Sequence, residues 1–227
     1  MIAVHNLSHH FHQKPALSGI SFVVEKGESV ALLGANGAGK TTLFLRLCGV
    51  LPGRSGEATI AGLDPAIERA KLPAVVGVVF QNPDDQLFCP TLLDDVAFGP
   101  LNLGETPAQA RKEAELALDR VGLLPLADRP PSQLSGGEKR RAAVAGVLAM
   151  RPDVLMLDEP TAFLDPRGRR ELIALLRELP GTKLIATHDL ELARELCPRS
   201  LVLADGQLVA DRPTAELLAG PLDEFGL

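Results

Sequence analysis

The chain has 227 residues, of which 46% are hydrophobic and 23% charged, so its composition is that of a folded globular protein rather than a disordered or fibrous one. Its formal net charge of -6 offers no general attraction to nucleic acid, and we expect no nucleic-acid partner. The 3 cysteines are scattered, and neither a signal-peptide pattern nor an apolar run near the roughly 20 residues of a membrane span is visible, which favours a cytosolic protein that meets membranes only peripherally.

The first third of the chain predicts short strands around one glycine-rich loop. A buried-looking strand, Ser29–Leu33, leads directly into that loop. The segment that follows the loop, Leu43–Leu51, is predicted to continue a helix that Pro52 and Gly53 end. The other strands predicted in this part lie at Ile2–Val4, Ile20–Val24, Ala58–Ile60 and Val75–Phe80.

The remaining chain is first helical and then alternating. From about Asn82 to Val147 the pattern is helical, and Thr106 and Pro107 open a charged segment with helical apolar spacing, Ala108–Val121. The elements predicted after it are strands at Val154–Leu157 and Lys183–Thr187, helices at Arg167–Leu179 and Leu190–Leu196, and a hairpin around Asp205-Gly206. Alternating β and α elements predict an α/β fold whose mostly parallel sheet has helices on both faces. We expect a single domain, residues 1–227, with residues 82–147 as an inserted helical subdomain.

The glycine-rich loop runs from Gly34 to Thr42 with the sequence GANGAGKTT. Glycines at these positions let backbone N–H groups surround phosphate oxygens at a helix N-terminus, where Lys40 would contact the β and γ phosphates of ATP and Thr41 would bind Mg²⁺. The alternative is a plain strand-to-helix turn, which the preceding strand and following helix disfavour. The residues expected to bind the nucleotide here are Gly34, Asn36, Gly37, Gly39, Lys40, Thr41 and Thr42.

An apolar run, Val154–Leu157, ends in two acids, Asp158 and Glu159. A buried strand that ends this way would place both carboxylates beside bound phosphates. Asp158 would then hold Mg²⁺ through water, and Glu159 would be the general base for the attacking water. Taken alone, the same pattern fits a helix cap or a solvated sheet edge equally well.

A third motif, LSGGE, occupies Leu134–Glu138. Ser135 can cap a helix whose free N–H groups attract anions, and the paired glycines permit close approach of a phosphate. Glu138 can also complete a capping box with Ser135, which is a purely structural role. The two interpretations are compatible.

These motifs, in this order, resemble those of ATP-binding-cassette (ABC) ATPases. The resemblance covers nearly the whole chain and rests on the glycine loop, Gln81, LSGGE, VLMLDE at Val154–Glu159, AFLD at Ala162–Asp165, and His188. It implies a P-loop NTPase core with an N-terminal antiparallel β subdomain, and ATP hydrolysis with Mg²⁺.

The resemblance also implies roles for single residues. Phe11 would stack on adenine, although many relatives have tyrosine there; Gln81 would reach Mg²⁺ and the water, and His188 would contact the γ-phosphate. In a head-to-tail dimer with a second cassette, Ser135 and Gly137 would bind the γ-phosphate held by the opposite subunit, and Asp165 would communicate between the sites.

Two segments, Gln81 to Gly104 and Leu134 to Met150 (LSGGEKRRAAVAGVLAM), resemble the energy-coupling-factor branch of importer ATPases. That branch includes uptake systems for cobalt, nickel and vitamins such as biotin, in which the ATPases pair with a transmembrane coupling protein and a substrate-capturing membrane protein. Such a chain would work at the cytoplasmic face of the membrane. Leu87 and Phe88, flanked by Asp84, Asp85, Asp94 and Asp95, would suit a groove for a basic amphipathic helix; the alternative is an ordinary solvated loop.

Three other interpretations are less well supported. His10 and His12 would share a strand face, but no set of ligands with firm metal-binding spacing surrounds them. A soluble cassette protein acting on ribosomes or DNA would generally carry two fused cassettes or a long coiled-coil insertion. A scaffold that binds ATP without cleaving it would not need Glu159, Gln81 and His188.

Overall fold

The structure is a computed structural model that describes residues 1–53 and 56–225. Within these ranges the strands are β1 (Ile2–Phe11), β2 (Lys14–Val24), β3 (Ser29–Leu33), β4 (Glu57–Ile60), β5 (Val76–Val79), β6 (Val154–Asp158), β7 (Thr182–Thr187), β8 (Arg199–Ala204) and β9 (Gln207–Pro213). The helices are α1 (Lys40–Leu47), α2 (Leu92–Asn102), α3 (Pro107–Arg120), α4 (Gly136–Ala149), α5 (Pro166–Glu178), α6 (Leu190–Leu196) and α7 (Thr214–Ala219).

The strands form two sheets. The smaller sheet is antiparallel, with the order β2-β1-β4, and the larger has the order β5-β6-β7-β3-β8-β9. In the larger sheet every neighbouring pair from β5 to β8 is parallel, and β9 alone runs antiparallel to its neighbour. This confirms the predicted α/β fold with a mostly parallel sheet and an antiparallel N-terminal part.

In the described part of the chain, buried apolar side chains form three clusters. The first lies between the antiparallel sheet, α1 and one face of the larger sheet, and includes Phe44. The second covers the opposite face, where α5 contributes Leu172. The third joins α2, α3 and α4 around residues such as Leu118. Because α4 contributes to both the second and third clusters, it attaches the helical part to the sheet.

Three adjacent strands of the larger sheet end at one edge. Leu33 at the end of β3 lies opposite Thr187 at the end of β7, and Asp158 at the end of β6 lies opposite Ala186. Since parallel strands direct their carboxyl ends the same way, the segments that follow β3, β6 and β7 meet at this edge.

Two local predictions were wrong. Helix α1 ends at Leu47 rather than Leu51, because Gly49 takes a left-handed φ of 69° and ends the helix before Pro52 is reached. His12 lies in the turn between β1 and β2 with a φ of 55°, so it does not share a strand face with His10. Both errors have the same cause, which is a turn made by a residue with a left-handed backbone.

The hairpin of β1 and β2 is much longer than the short strands predicted there. Its outer half has little apolar alternation, and it is held by strand pairing with several register shifts. No helix in the described ranges is both long enough and apolar enough to cross a bilayer.

Candidate functional site

The glycine loop between β3 and α1 is shaped by left-handed backbone. Gly37 and Gly39 have φ values of 85° and 108°, which residues with a Cβ rarely adopt. A Cβ on Gly39 would also lie 2.8 Å from the carbonyl oxygen of Ala16, at the beginning of the neighbouring β2. The loop leads into the N-terminus of α1, whose free N–H groups and dipole favour an anion. Its local geometry is therefore that of a phosphate cradle.

Lys40 is buried at the start of α1. Its Nζ donates to the carbonyl oxygens of Gly34 at 2.5 Å and Ala35 at 3.2 Å, and it lies 3.7 Å from Oε1 of Glu159. The ammonium group therefore sits at the centre of the loop, held by backbone carbonyls on one side and by a carboxylate on the other.

The side chains of Thr41 and Asp158 bring two oxygen atoms close together. The Thr41 hydroxyl donates to Oδ2 of Asp158 at 3.0 Å. Burial raises the pKa of Asp158, an effect that the Thr41 hydrogen bond and the charges of Lys40 and Arg140 oppose. No cluster of three His, Cys, Asp or Glu side chains suited to a metal occurs within residues 1–53 and 56–225. This oxygen pair nevertheless fits Mg²⁺, which typically binds one or two carboxylates together with substrate phosphates.

Glu159 is held through both its backbone and its side chain. Its backbone has a left-handed φ of 45°, and its N–H donates to Ala186 at 2.8 Å. Its carboxylate accepts from the Thr187 hydroxyl at 3.1 Å and lies 2.9 Å from Nδ1 of His188. Non-glycine residues in this conformation cluster at functional sites, where surrounding contacts must hold them. The buried carboxylate is thus fixed between β6 and β7.

These groups line one open cavity of about 410 Å³ at the carboxyl edge of the larger sheet, which we call the loop cavity. Its lining consists of Ala35, Asn36, Gly37, Gly39, Lys40, Thr41, Thr42, Gln81, Asp158 and Glu159. Gly34 is not part of this lining, and its carbonyl oxygen accepts a hydrogen bond from Lys40 Nζ. The side chain of His188 is 63% exposed and reaches the site through Glu159.

Phe11 is not part of this lining. It ends β1, is 47% exposed, and packs edge-on against His9 with ring centroids 4.8 Å apart. The hairpin that carries it does border the loop, because Ala16 of β2 contacts Gly39. A stacking role for Phe11 therefore stays a prediction.

Ser135, Gly137 and Asp165 line a different cavity of about 500 Å³, here called the cap cavity. Ser135 and Glu138 form the predicted capping box, in which Ser135 N donates to Oε2 of Glu138 at 2.7 Å and lowers the pKa of that acid. Asp165 caps α5 by accepting from Gly168 N at 2.7 Å. The cap cavity and the loop cavity share no lining residue. Within one chain, Ser135 and Lys40 therefore line separate cavities.

The helical part carries an apolar groove of about 500 Å³, whose lining includes Leu87, Phe88, Phe98, Leu103, Val147 and Met150. The rings of Phe88 and Phe98 meet edge to face with centroids 5.1 Å apart. Of the acids expected at its rim, Asp84 is paired with Lys139, and Asp95 is buried and accepts from Phe88 N and Cys89 N. Asp85 is exposed and lines the groove, and Asp94 is exposed as well. The groove is thus mainly apolar with acidic side chains beside it.

Two residues that fix the segment carrying Gln81 were missed by sequence reasoning. Gln86 pairs with the backbone of Val78 and Phe80, and Arg140 of α4 donates to the carbonyls of Phe80 and Gln81. Arg140 could have been noticed, because it precedes Val144 by four residues and Val147 by seven, on the face of α4 that is otherwise apolar.

The geometry combines a phosphate cradle, an oxygen pair suited to Mg²⁺, and a fixed carboxylate that can accept a proton from water. These are the parts that hydrolysis of a nucleoside triphosphate requires, since phosphoryl transfer depends mainly on positioning and charge stabilisation.

Comparison with known proteins gives consistent results. A family model described as ABC transporter matches residues 17–162. A putative ABC transporter ATP-binding protein from Geobacter sulfurreducens is 53% identical over 205 residues, which are 89% of this chain and 82% of the relative. The energy-coupling factor transporter ATP-binding protein EcfA from Methanothermobacter thermautotrophicus is 45% identical over 224 residues, which are 96% of this chain and 72% of EcfA.

Solved structures show the same likeness. The structure of cbiO1 from Clostridium perfringens, described as part of the ABC transporter complex cbiONQ, has a TM-score of 0.85 at 38% identity and covers 96% of this chain and 90% of its own. A dimeric bacterial ABC transporter cassette has a TM-score of 0.85 at 27% identity, with coverage of 94% and 99%.

Proposed function

The chain belongs to the ABC transporter family, as an ATP-hydrolysing ATP-binding subunit, and from this premise we propose that it powers an importer of the energy-coupling-factor type. The structural observation that supports hydrolysis is that Lys40, Thr41, Asp158 and Glu159 all line the loop cavity. The finer assignment is supported by the likeness to EcfA and to cbiO1.

We propose that ATP lies in the loop cavity with its phosphates against the glycine loop and Lys40. Thr41, Asp158 and Gln81 would hold Mg²⁺, which when bound neutralises charge on the β and γ phosphates. Glu159 would accept the proton of the attacking water, since its buried carboxylate is held in place by Thr187. His188 would steady that carboxylate and reach the γ-phosphate.

We also propose that the active form is a head-to-tail dimer of cassettes. Ser135 and Gly137 line a cavity separate from the loop cavity, so a phosphate that touches both sets of residues would need two chains. The dimeric solved cassette supports this arrangement. Asp165, between the cap cavity and the first turn of α5, would transmit closure of one site to the other.

The partners would be a transmembrane coupling protein and a substrate-capturing membrane protein, which would hold the chain at the cytoplasmic face of the membrane. The apolar groove at Leu87 and Phe88 suits an amphipathic helix of the coupling protein, since Phe88 is 64% exposed. We take residues 1–227 as one cassette, with 82–147 as its helical subdomain. Cobalt or nickel is our proposed cargo, ahead of biotin or another vitamin.

The test is to purify the tagged chain from detergent-solubilised membranes and identify what accompanies it. We expect a polytopic membrane protein and a second cassette to accompany the chain; if the dimer is a homodimer, the second cassette is another copy of this chain. The Phe88→Asp variant should lose the membrane protein. Uptake of labelled cobalt, nickel and biotin by cells with and without the chain would then identify the cargo. Association with ribosomes alone would refute the importer and favour the soluble alternative.

A further inference from the structure

Arg140 lies in the second turn of α4 with its side chain only 1% exposed. Its Nη1 donates to the carbonyl oxygen of Phe80 at 2.7 Å, and its Nη2 donates to that of Gln81 at 2.5 Å. Removing an arginine from water is costly unless its donors are paired. These two carbonyl contacts offset part of that cost, while its Nε is buried with no partner among residues 1–53 and 56–225.

The segment that Arg140 holds, residues 80–87, has other anchors as well. Gln86 accepts from Phe80 N and donates to Val78 O, both at 2.8 Å, and these bonds close the segment upon itself. Lys139, beside Arg140 in α4, pairs with Asp84 at 2.6 Å. Helix α4 therefore contacts this segment twice: Arg140 binds its backbone carbonyls, and Lys139 pairs with the side chain of Asp84.

Arg140 links Gln81 to the helix that begins after Ser135, and these two residues line different cavities. Gln81 has an exposed side chain that lines the loop cavity, while its backbone carbonyl is fixed by Arg140. Ser135 lies five residues before Arg140, at the N-terminus of the same helix, and lines the cap cavity. A helix is rigid over this distance, so a displacement of its N-terminus would be passed to Gln81 through Arg140.

We propose that Arg140 is a positioning residue that, through the carbonyls of Phe80 and Gln81, fixes Gln81 in the loop cavity in register with the Ser135 end of α4. This inference rests on the proposed ATPase function, whose hydrolytic step needs Gln81 in place. Arginine suits the role because its planar fork serves two acceptors at once, whereas lysine offers a single flexible point charge.

The test compares Arg140→Met and Arg140→Lys with the matched control Arg46→Met in the purified full-length chain. Arg46 is also a buried arginine that donates to two carbonyls, those of Leu51 and Gly53, but at the far end of α1. Losing either arginine should lower the melting temperature, so stability alone does not distinguish them. The distinguishing measurements are kcat, the Mg²⁺ concentration for half-maximal activity, ATP affinity, and amide hydrogen exchange of residues 80–87.

For Arg140→Met we expect kcat to fall about tenfold and the Mg²⁺ requirement to rise severalfold, with ATP affinity changed less than about twofold, since a misplaced group supporting a bound metal typically costs this much or more. Amide exchange in residues 80–87 should rise about tenfold, because losing a hydrogen bond to a charged group favours local opening by about that factor. Arg140→Lys should fall between Met and wild type, and Arg46→Met should leave kcat, the Mg²⁺ requirement and exchange in 80–87 unchanged.

Unchanged exchange in residues 80–87 would overturn the inference whether or not the chain is active, because that measurement needs no turnover. Raised exchange with wild-type kcat and Mg²⁺ dependence would overturn it too, since Arg140 would then be only structural. Absence of ATP hydrolysis by the wild-type chain, alone and with its partners, would instead refute the proposed function.

Discussion

The hydroxyl of Thr41 and Oδ2 of Asp158 lie 3.0 Å apart, which joins the first turn of α1 to the end of β6. The pair presents two oxygen atoms, our proposed Mg²⁺ ligands, to one point, although the residues are 117 positions apart in sequence. We expect Thr41→Val to remove one ligand without changing the shape of the site. The Mg²⁺ concentration for half-maximal ATPase activity should rise about tenfold or more, while Thr41→Ser should remain near wild type. Equal behaviour of the Val and Ser variants would exclude the hydroxyl as a ligand.

Lys40→Ala should weaken ATP binding. The Nζ of Lys40 is buried and is directed by the carbonyls of Gly34 and Ala35, so its charge is already in place for phosphate oxygens. Loss of a charge-assisted bond of this kind should lower affinity by about 10- to 100-fold, measured by isothermal titration. Lys26→Ala, which removes an exposed lysine, is the control. Unchanged affinity of Lys40→Ala would contradict the loop geometry.

Glu159→Gln should abolish turnover and preserve nucleotide binding. Glutamine keeps the size and hydrogen-bonding reach of Glu159 towards Thr187 and His188 but cannot accept the proton of the attacking water. We expect kcat to fall by about 10²- to 10⁴-fold, with ATP affinity within about twofold. Both quantities are to be measured on the same preparation, because normal turnover would refute the assignment of Glu159 as the base.

Arg169 and Asp189 should contribute stability that depends on pH. Burial raises the pKa of Asp189, but the hydrogen bonds from Arg169 and Leu192 N outweigh it and leave that pKa below its usual value. A depressed pKa in the folded state gives stability that is full above the unfolded value near 4 and is lost as the pH falls through the folded value.

Arg169→Met should therefore cost on the order of 1 kcal/mol at pH 7, measured by urea unfolding, and its difference from wild type should shrink below about pH 4. Arg111→Met, which removes an exposed pair with Glu115, should cost much less. A difference that stays constant down to pH 2 would mean that Arg169 stabilises the fold by packing rather than by charge.

The three cysteines should react slowly with iodoacetamide in the folded chain. Burial raises the pKa of Cys48 and of Cys197 to about 12, and burial with the nearby carboxylate of Asp95 raises that of Cys89 to about 11. Because the thiolate is the nucleophile, alkylation at pH 8 should be slower in the native than in the urea-unfolded protein by on the order of a hundredfold. Mass spectrometry of tryptic peptides reports each cysteine separately, and fast native labelling of Cys89 would contradict the result expected.

Much of the sheet was predictable because its central strands are continuous apolar runs. β3, β6 and β7 are buried along nearly their whole length, and each is followed by glycine, acidic or histidine residues that mark the edge. The outer half of the β1–β2 hairpin was not predictable, since its residues show little apolar alternation and its strands are defined by mutual pairing. The end of α1 depended on Gly49, whose left-handed backbone outweighed the apolar spacing beyond it.

The sequence by itself determined the family, the order of the elements and which residue types carry the chemistry, because a glycine loop, an acid-ended strand and a capping box each have a local physical cause. Only the tertiary structure decided which of them meet. The order of strands in the sheet brings Lys40 and Thr41 to Asp158 and Glu159, while Ser135 caps a helix that faces another cavity. The role of Arg140 likewise depends on the tertiary structure. Nothing in the sequence of α4 indicates which groups this arginine binds, and only the folded chain brings the carbonyls of Phe80 and Gln81 within 3 Å of it.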